Sequence, residues 1–293
     1  MRRHATILVL AGALACGRTP PTGQRVVGVS KQINEYLYDI GAESVLVARD
    51  LTSVYPAAIT RLPSVGYHRA LSAEGILSMR PTLLLTDGNV GPDAVLAQVR
   101  KVGIPVEVLT PGTSIDSAQL LMTRLGERFH HERQADSVLA AWRQGMASVL
   151  ADSTTMAVGA RPRVLLMHFG QINNSYLAVK RGTPADRMIG WAGGVNAVDS
   201  VGGMLRLTPE LIAKMAPDVI IATDVGFDRA GSVERFAAMP GVSLTPAARS
   251  GRIHRVDEHD VMYFGPRTPA SVRTLAAWLR GAPAQSGAGA ASR

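Results

Sequence analysis

The chain has 293 residues, with 31 lysines and arginines against 23 acidic residues and a formal net charge of +8. Its length accommodates one or two domains with real cores, since domains commonly span about 100–200 residues. The positive charge favours anionic partners, but scattered basic residues, few aromatic residues and no recognisable nucleic-acid-binding motif argue against nucleic acid as the partner.

The N-terminus predicts an export signal. Arg2 and Arg3 precede an apolar run over 5–15, which is too short to span a bilayer but suits the hydrophobic region of such a signal. Cys16, the single cysteine of the chain, follows small residues as in a bacterial lipoprotein processing site; an ordinary signal peptide with an incidental cysteine is the alternative. We assign 1–24 to signal and tether and expect a periplasmic protein that touches the membrane only through a lipid anchor.

Residues 25–112 predict a first α/β lobe. Short apolar strands alternate there with helical periodicity, which is typical of a parallel sheet with helices on its faces. The predicted elements are, in chain order, strand 26–29, a helix over 33–40, strand 45–48, a brief strand 64–67, a helix capped by Ser72, strand 83–86, helix 92–102 and strand 106–109.

From 113 to 151 the pattern changes to apolar residues at helical spacing with almost no breakers. This pattern predicts one long linking helix, bent near Gly126. A single helix between two lobes would resist the wide closure that flexible connecting strands allow.

Residues 152–281 predict a second α/β lobe that opens with strand 164–167. Three of its helices are predicted to start with a hydroxyl cap before a proline, and these starts are Thr183-Pro184, Thr208-Pro209 and Thr268-Pro269. The tail over 282–293, rich in Ala, Gly and Ser, is predicted to be disordered.

One sequence pattern occurs twice, in 74–87 and in 210–224. Each copy predicts a short helix, a proline stop, a buried strand and an acidic turn. A unit that recurs once at long spacing favours two similar lobes over a solenoid, and two lobes leave a cleft in which ligands bind. The predicted fold class is α/β, with two similar lobes, each a mainly parallel sheet flanked by helices, joined by one long helix.

Motifs in both predicted lobes occur in a recognisable combination. They are Ser53–Pro56, Leu62–Arg69, Leu71–Ser78, Gly182–Ile189, Ala192–Ala197 and Phe264–Pro269. Together they resemble periplasmic haem-binding proteins, the substrate-binding components of bacterial haem-uptake ABC transporters. The architecture is shared with siderophore and cobalamin binders, so only the stretch around Tyr67 is specific to haem. The resemblance implies a monomeric, non-enzymatic carrier that delivers ferric haem to an inner-membrane permease; a ferric siderophore or cobalamin is the alternative cargo.

Tyr67 is the candidate axial ligand of the haem iron. A phenolate oxygen suits ferric iron, but its ordinary pKa near 10 requires a nearby cation or the metal for ionisation at neutral pH. If the segment is extended, the side chains of Tyr67 and Arg69 point to the same side of it, so the guanidinium can approach the phenol oxygen. The resemblance assigns iron ligation to Tyr67 and support of the phenolate to Arg69. On the residues alone, a structural tyrosine and a surface ion pair are the alternatives.

Two residues of the second lobe are further candidates. His168 ends its opening strand, where α/β folds place ligands, and imidazole ligates haem iron; we expect a second-lobe haem ligand, with a structural histidine as the alternative. Arg229 follows the strand of the second repeat, and it is a candidate partner for a haem propionate at the cleft rim. An ion pair with Asp228 is the alternative for Arg229.

Glu74 and Glu210 occupy the same place in the two repeats, near helix starts. A favourable interaction with the helix dipole, worth about 0.3–1 kcal/mol, accounts for both on the residues alone. The resemblance implies a sharper role, in which one glutamate per lobe docks to arginines of the permease.

The sequence offers little for catalysis. It contains no Gly-x-Ser-x-Gly elbow, His-Glu-x-x-His pair or Walker loop, and the adjacent His130 and His131 would diverge by about 100° on a helix. We therefore expect no enzyme and no metal other than the iron of the transported haem. An α/β enzyme using scattered acids and a structural lipoprotein without ligand are the remaining alternatives.

Overall fold

The structure, a computed structural model, describes residues 23–110, 114–153, 161–170 and 174–281. The predicted signal with Cys16 and the predicted tail lie outside these ranges. The strands are β1 (Val26–Val29), β2 (Leu46–Arg49), β3 (Leu83–Thr86), β4 (Val106–Val108), β5 (Arg163–Gly170), β6 (Ser175–Val179), β7 (Val195–Asn196), β8 (Met204–Arg206), β9 (Val219–Thr223) and β10 (Ile253–Val256). The helices are α1 (Lys31–Asp39), α2 (Ala73–Ser78), α3 (Asp93–Lys101), α4 (Ile115–Phe129), α5 (Glu132–Ser153), α6 (Pro184–Trp191), α7 (Pro209–Met215), α8 (Asp224–Asp228), α9 (Val233–Ala237), α10 (Pro246–Arg249), α11 (Glu258–Val261) and α12 (Thr268–Leu279).

The first lobe contains a parallel sheet in the order β2-β1-β3-β4. Strands β1 and β3 are buried along their whole length, which explains why they read as continuous apolar runs. The brief strand predicted over 64–67 is reduced to one bridge between Ser64 and Arg49, because Gly66, with φ of 101°, leaves the extended conformation.

The second lobe contains a mixed sheet in the order β10-β9-β5-β6-β8, with β7 also paired to β5. Strands β10, β9, β5 and β7 are parallel, whereas β6 and β8 continue the sheet antiparallel. The prediction of a mainly parallel sheet therefore describes only the part of the sheet formed by β10, β9, β5 and β7. On the other side of β5, the antiparallel strands β6 and β8 extend the sheet.

Both copies of the sequence repeat form the expected short helix and buried strand, but the acidic turn predicted at Asp224 is instead the start of α8. The Ser72 hydroxyl caps α2 by accepting from the Gly75 amide, and Thr208 caps α7 in the same way. Strands β3 and β9 follow these helices as buried parallel strands. Of the three predicted Thr-Pro helix starts, those at Thr183 and Thr208 are confirmed, but α12 begins at Thr268 itself.

The segment predicted as one bent helix forms two. Helix α4 ends at His130, which adopts the left-handed conformation with φ of 59°, and α5 begins two residues later. The helices run antiparallel, because Gly126 faces Ala135 near the turn and Gln119 bonds Arg143 farther along. The long helix that joins the lobes is thus α5 alone, since it contacts α1 on one side and α6 and α12 on the other.

The lobes share one apolar core. Residues of the first sheet, of α4 and α5 and of the second sheet belong to one buried cluster, with Leu85, Met122, Trp142, Leu166 and Leu275 as examples. Among the described residues, no helix combines the length and the apolar composition that a membrane crossing requires. Each lobe also has an apolar cluster of its own, and the shared cluster joins the two sheets through α4 and α5.

Candidate ligand-binding cleft

A cavity of about 300 Å³ lies between the lobes. Its walls come from the carboxyl ends of the strands, where Asn89 follows β3 in the first lobe and His168 lies near the end of β5 in the second. Parallel sheets expose their ligand-binding loops at this edge, and the volume lies at the lower end of the about 300–1,000 Å³ typical of small-molecule sites.

Tyr67 lines this cavity as predicted. The preceding Gly66, with φ of 101°, takes a conformation that favours glycine and turns the chain there. The Gly66 carbonyl accepts from the Leu51 amide at 2.7 Å, and the Tyr67 carbonyl accepts from Ala70 at 2.8 Å. The Tyr67 ring packs against that of His68 with centroids 4.4 Å apart. The half-buried phenol is therefore held by its backbone and one neighbouring ring.

Arg69 also lines the cavity, but its guanidinium points to another partner. Its Nε donates to Asn89 Oδ1 at 3.0 Å. Within the described ranges no hydrogen bond joins Arg69 to the Tyr67 hydroxyl, so the support expected from sequence would require the exposed arginine side chain to rotate.

His68 lies beside a buried polar cluster. Its Nδ1 is 4.0 Å from Asp50 Oδ2 and 3.5 Å from Thr52 Oγ1. Burial lowers the pKa of His68, although Asp50 opposes the shift. The ring is therefore neutral at pH 7 and supports Tyr67 by ring packing.

His168 faces the same cavity from the second lobe. Its Nδ1 lies 3.4 Å from Thr223 Oγ1 and 3.8 Å from Glu258 Oε2. Burial lowers the pKa of His168, with Glu258 opposing the shift. A neutral imidazole can coordinate a metal, so its position and its chemistry both fit a ligand role.

The floor of the cavity contains an ion pair that the sequence analysis missed. Lys31 Nζ of the first lobe lies 2.7 Å from Glu258 Oε1 of the second, and both side chains are largely buried. The ring of Tyr263 lies 5.4 Å from the same ammonium. Lys31 lies two residues after the end of β1, so the strand-end rule that identified His168 could have identified it as well.

Arg229 lies at the edge of this cavity. Its guanidinium carbon is 4.2 Å from the centroid of the Phe169 ring, which lines the cavity. The predicted alternative, an ion pair with Asp228, is wrong, because both Asp228 oxygens accept from Arg255 at 2.8 Å. Arg229 thus remains exposed and close enough to meet an anionic group at the rim.

The second lobe adds an apolar wall to the cavity, made of Phe169, Leu177, Met204 and Met262. This wall lies opposite polar groups of the first lobe such as Asn89 and Thr52. The cleft can therefore take a ligand with a large apolar face and a few polar or anionic groups.

Glu74 and Glu210 lie outside the cleft, in the exposed first turns of α2 and α7. Backbone amide groups at the helix start, together with Thr208, lower the pKa of Glu210. Both positions carry negative charge on equivalent elements of the two lobes. In the described ranges, no group of three or more His, Cys, Asp or Glu side chains could hold a bare metal ion.

A second charged cluster joins the lobes behind the cleft. Arg267 of the second lobe donates through Nε to Glu35 Oε1 of the first at 2.7 Å, and through Nη1 to Asp260. The Glu35 side chain is only 4% exposed, and the Arg267 guanidinium also stacks on the Tyr55 ring at 3.9 Å. This cluster ties α1 to the loop before α12.

Comparisons with known proteins agree with this architecture. The family model described as "Periplasmic binding protein" matches residues 26–259. The solved structure of the periplasmic haem-binding protein RhuT from Roseiflexus sp. RS-1 is 30% identical, with a TM-score of 0.81 over 88% of this chain and 98% of that one. The periplasmic haem-binding protein BhuT, solved with two haems, is 32% identical, with a TM-score of 0.80 over the same shares.

A curated relative has a different ligand. The vitamin B12-binding protein of Pectobacterium atrosepticum is 24% identical over 72% of this chain and 76% of its own length. Similar chains therefore include proteins named for haem and for a corrinoid.

Proposed function

The chain belongs to the periplasmic binding protein family, the substrate-binding components of ABC transporters, and from this premise we propose that it carries ferric haem in the cleft between its lobes. It is accordingly a transport protein and not an enzyme. In this proposal the chain captures haem in the periplasm as a monomer and delivers it to an inner-membrane permease.

One observation carries the choice of haem. Tyr67 from one lobe and His168 from the other line the same cavity, and both side chains are established types of haem ligand. The apolar wall of the second lobe suits the face of a porphyrin. The haem-binding names of RhuT and BhuT, each at least 30% identical over most of the chain, support the same choice.

The residue roles follow from this placement. Tyr67 ligates the ferric iron, and Arg69 rotates from Asn89 to stabilise the phenolate. His168 ligates from the opposite lobe, and Arg229 pairs with a propionate at the rim. No covalent chemistry is required, since the haem leaves when the permease separates the lobes or competes for the propionates.

Delivery requires export to the periplasm and a surface that binds the permease. The N-terminal signal places the protein in the periplasm, and acylation of Cys16 anchors it to a membrane. Glu74 and Glu210, exposed on equivalent helices of the two lobes, dock to cationic residues of the permease.

A hemin titration read by absorbance tests the proposal. Wild type should give a Soret shift with the bands of a tyrosinate-ligated ferric haem. Tyr67→Phe removes the ligand oxygen, so it should lose those bands and bind hemin at least about 100-fold more weakly, beyond the usual cost of a change next to a ligand.

Tyr263→Phe is the matched control, because Tyr263 is a second tyrosine lining the same cavity. Burial raises the pKa of Tyr263 to about 12, which disfavours its phenolate. This variant should keep the tyrosinate bands. Unchanged binding by Tyr67→Phe, or loss of the bands only in Tyr263→Phe, would reject Tyr67 as the ligand.

The vitamin B12-binding relative supports cobalamin as a second candidate cargo. Cyanocobalamin belongs in the same titration. Tight binding of cyanocobalamin without a hemin-dependent Soret shift would favour this second function.

A further inference from the structure

Glu258 contacts both lobes at once at the floor of the cavity. Its Oε1 lies 2.7 Å from Lys31 Nζ of the first lobe, and its Oε2 lies 3.8 Å from His168 Nδ1 of the second. All three side chains line the cavity, and Lys31 and Glu258 are 8% and 18% exposed. One carboxylate is thus shared between a cation that belongs to one lobe and an imidazole that belongs to the other.

The backbone holds both charged partners in place. Lys31 is the first residue of α1, and Ser30, which connects β1 to this helix, caps it. Glu258 is the first residue of α11, and its amide donates to Asp224 Oδ1 at 3.2 Å. Neither side chain can follow the other if the lobes separate, because each is anchored within its own lobe.

The charges keep Glu258 in the ionised form. The ammonium of Lys31, 2.7 Å from Glu258 Oε1, stabilises the negative charge of the Glu258 carboxylate. Lys31 is likewise held as a cation, since Tyr263 and Glu258 overcome the effect of burial and its pKa is raised. Glu258 therefore presents a carboxylate to His168 and to Lys31 at neutral pH.

The polar neighbours of His168 all lie on one side of its ring. Among the described residues, Thr223 and Glu258 both approach Nδ1, which leaves Nε2 for a ligand in the cavity. Of these two groups, only Thr223 Oγ1, at 3.4 Å, is within hydrogen-bond distance of Nδ1. The Glu258 carboxylate, at 3.8 Å, acts on the imidazole through its charge, which favours a proton on Nδ1 and leaves Nε2 as the metal ligand.

We propose that Glu258 is a positioning residue that couples the contact between the lobes to haem ligation. While the lobes are together, Lys31 holds Glu258, and Glu258 orients the His168 imidazole with Nε2 toward the cargo. When the lobes separate, Lys31 withdraws, Glu258 loses its counter-ion, and His168 loses its orientation. Separation of the lobes thus weakens the ligand of the second lobe. This inference rests on haem as the cargo.

The test compares the ferric-haem spectra and hemin dissociation rates of Glu258→Gln, Lys31→Met and His168→Ala. If Glu258 acts through His168, Glu258→Gln should give the spectrum of His168→Ala and release hemin about 10–100-fold faster than wild type, the usual cost of removing the group that orients a metal ligand. Lys31→Met should change the spectrum and the hemin dissociation rate in the same direction as Glu258→Gln. The His168→Ala/Glu258→Gln double variant should be no worse than His168→Ala alone.

Two further variants keep the test decisive. Glu107→Gln breaks an ion pair with Arg128 remote from the cavity lining, and it should keep the wild-type spectrum. Because Glu258→Gln leaves Lys31 buried without its partner, it is liable to unfold; Lys31→Met/Glu258→Gln removes both charges and should show the same spectrum as His168→Ala.

The outcomes separate this inference from the proposed function. If wild type shows no Tyr67-dependent haem spectrum, haem transport itself is rejected. If the Tyr67 results hold but Glu258→Gln or the Lys31→Met/Glu258→Gln double variant keeps the wild-type spectrum and dissociation rate, only the role of Glu258 is overturned.

Discussion

His254 lies on β10 with its ring stacked on Trp278, at a centroid distance of 4.7 Å and an interplanar angle of 11°. The residue is 2% exposed, and neither ring nitrogen has a hydrogen-bond partner among the described residues. Burial, with a smaller contribution from Arg252, lowers the pKa of His254 to about 4. The folded protein therefore resists protonation of this ring.

His254 should make folding stability depend on pH. The unfolded chain binds a proton at this histidine near pH 6.5 and the folded chain only near pH 4, so stability is full above pH 6.5 and falls as the pH drops between these values. The slope from this residue is at most about 1.4 kcal/mol per pH unit. Denaturant unfolding at pH 7.5 and pH 5 should show a smaller loss for His254→Phe than for wild type.

His130→Asn is the control for this measurement, because the His130 side chain is 91% exposed and asparagine tolerates its left-handed backbone. Its pH dependence should match that of wild type. An equal loss of stability in His254→Phe and wild type would contradict the assignment.

At the scale of single residues, local rules singled out two candidates whose role as haem ligands stays a prediction. Tyr67 and His168 were identified by a motif and by a strand end, and both line the cavity. The strand-end rule could have identified Lys31, but its pairing with Glu258 could not be predicted, because residues 227 positions apart in sequence meet only in the folded chain. The Arg69 side chain differs from the expectation because Asn89, another long-range neighbour, accepts from it.

Helices α4 and α5 approach each other most closely at Gly126. A Cβ atom at this position would lie 2.5 Å from the Cβ of Ala135, well inside contact distance. Helix propensity favours alanine over glycine by about 1 kcal/mol, so the two effects oppose each other at this position. We expect the steric contact to outweigh the gain in helix propensity, because Gly126 and Ala135 belong to two helices that pack against each other.

Gly126→Ala should therefore destabilise the protein, by about 1–3 kcal/mol as for other overpacked sites. Gly190→Ala is the matched variant, because Gly190 lies within α6 with no atom within 4 Å of an added Cβ. It should stabilise by about 0.5–1 kcal/mol. Denaturant unfolding of both variants measures the difference, and a change of the same sign in both would refute the packing argument.

At the scale of elements, the helices and strands of the repeat and the caps at Ser72, Thr183 and Thr208 were predicted correctly, because each depends on neighbours within a few residues. The break between α4 and α5 was not predicted, since 114–150 lacks proline and the left-handed residue is a histidine. The apolar pattern of a helical hairpin is continuous with that of one long helix. The contact between the two helices, not the local sequence, determines the turn.

At the scale of the whole molecule, Glu74 on α2 and Glu210 on α7 are exposed glutamates on equivalent helices of the two lobes. If Glu74 and Glu210 dock to a cationic permease, Glu74→Gln/Glu210→Gln should slow association about tenfold at low salt, with a smaller effect at high salt. Binding to permease in nanodiscs at two ionic strengths measures this effect. Hemin affinity should be unchanged, because both residues lie outside the cavity lining.

Glu234→Gln provides the matched control for docking. Glu234 lies in the exposed first turn of α9 behind a serine cap, a setting like that of Glu74, but outside the repeat. Its substitution should leave association unchanged. Equal slowing by Glu234→Gln would assign the effect to net charge instead of docking.

Helix α1 carries Lys31 and Glu35 one turn apart, and each reaches an oppositely charged partner in the second lobe. Exchanging one half for that of a relative that lacks a partner residue would leave the other charge of that pair buried and uncompensated, at about 3–5 kcal/mol for each such pair. Neither half is therefore a module that recombination could exchange with that of a relative. The two residues of each pair would have to be inherited together, although they lie far apart in the sequence.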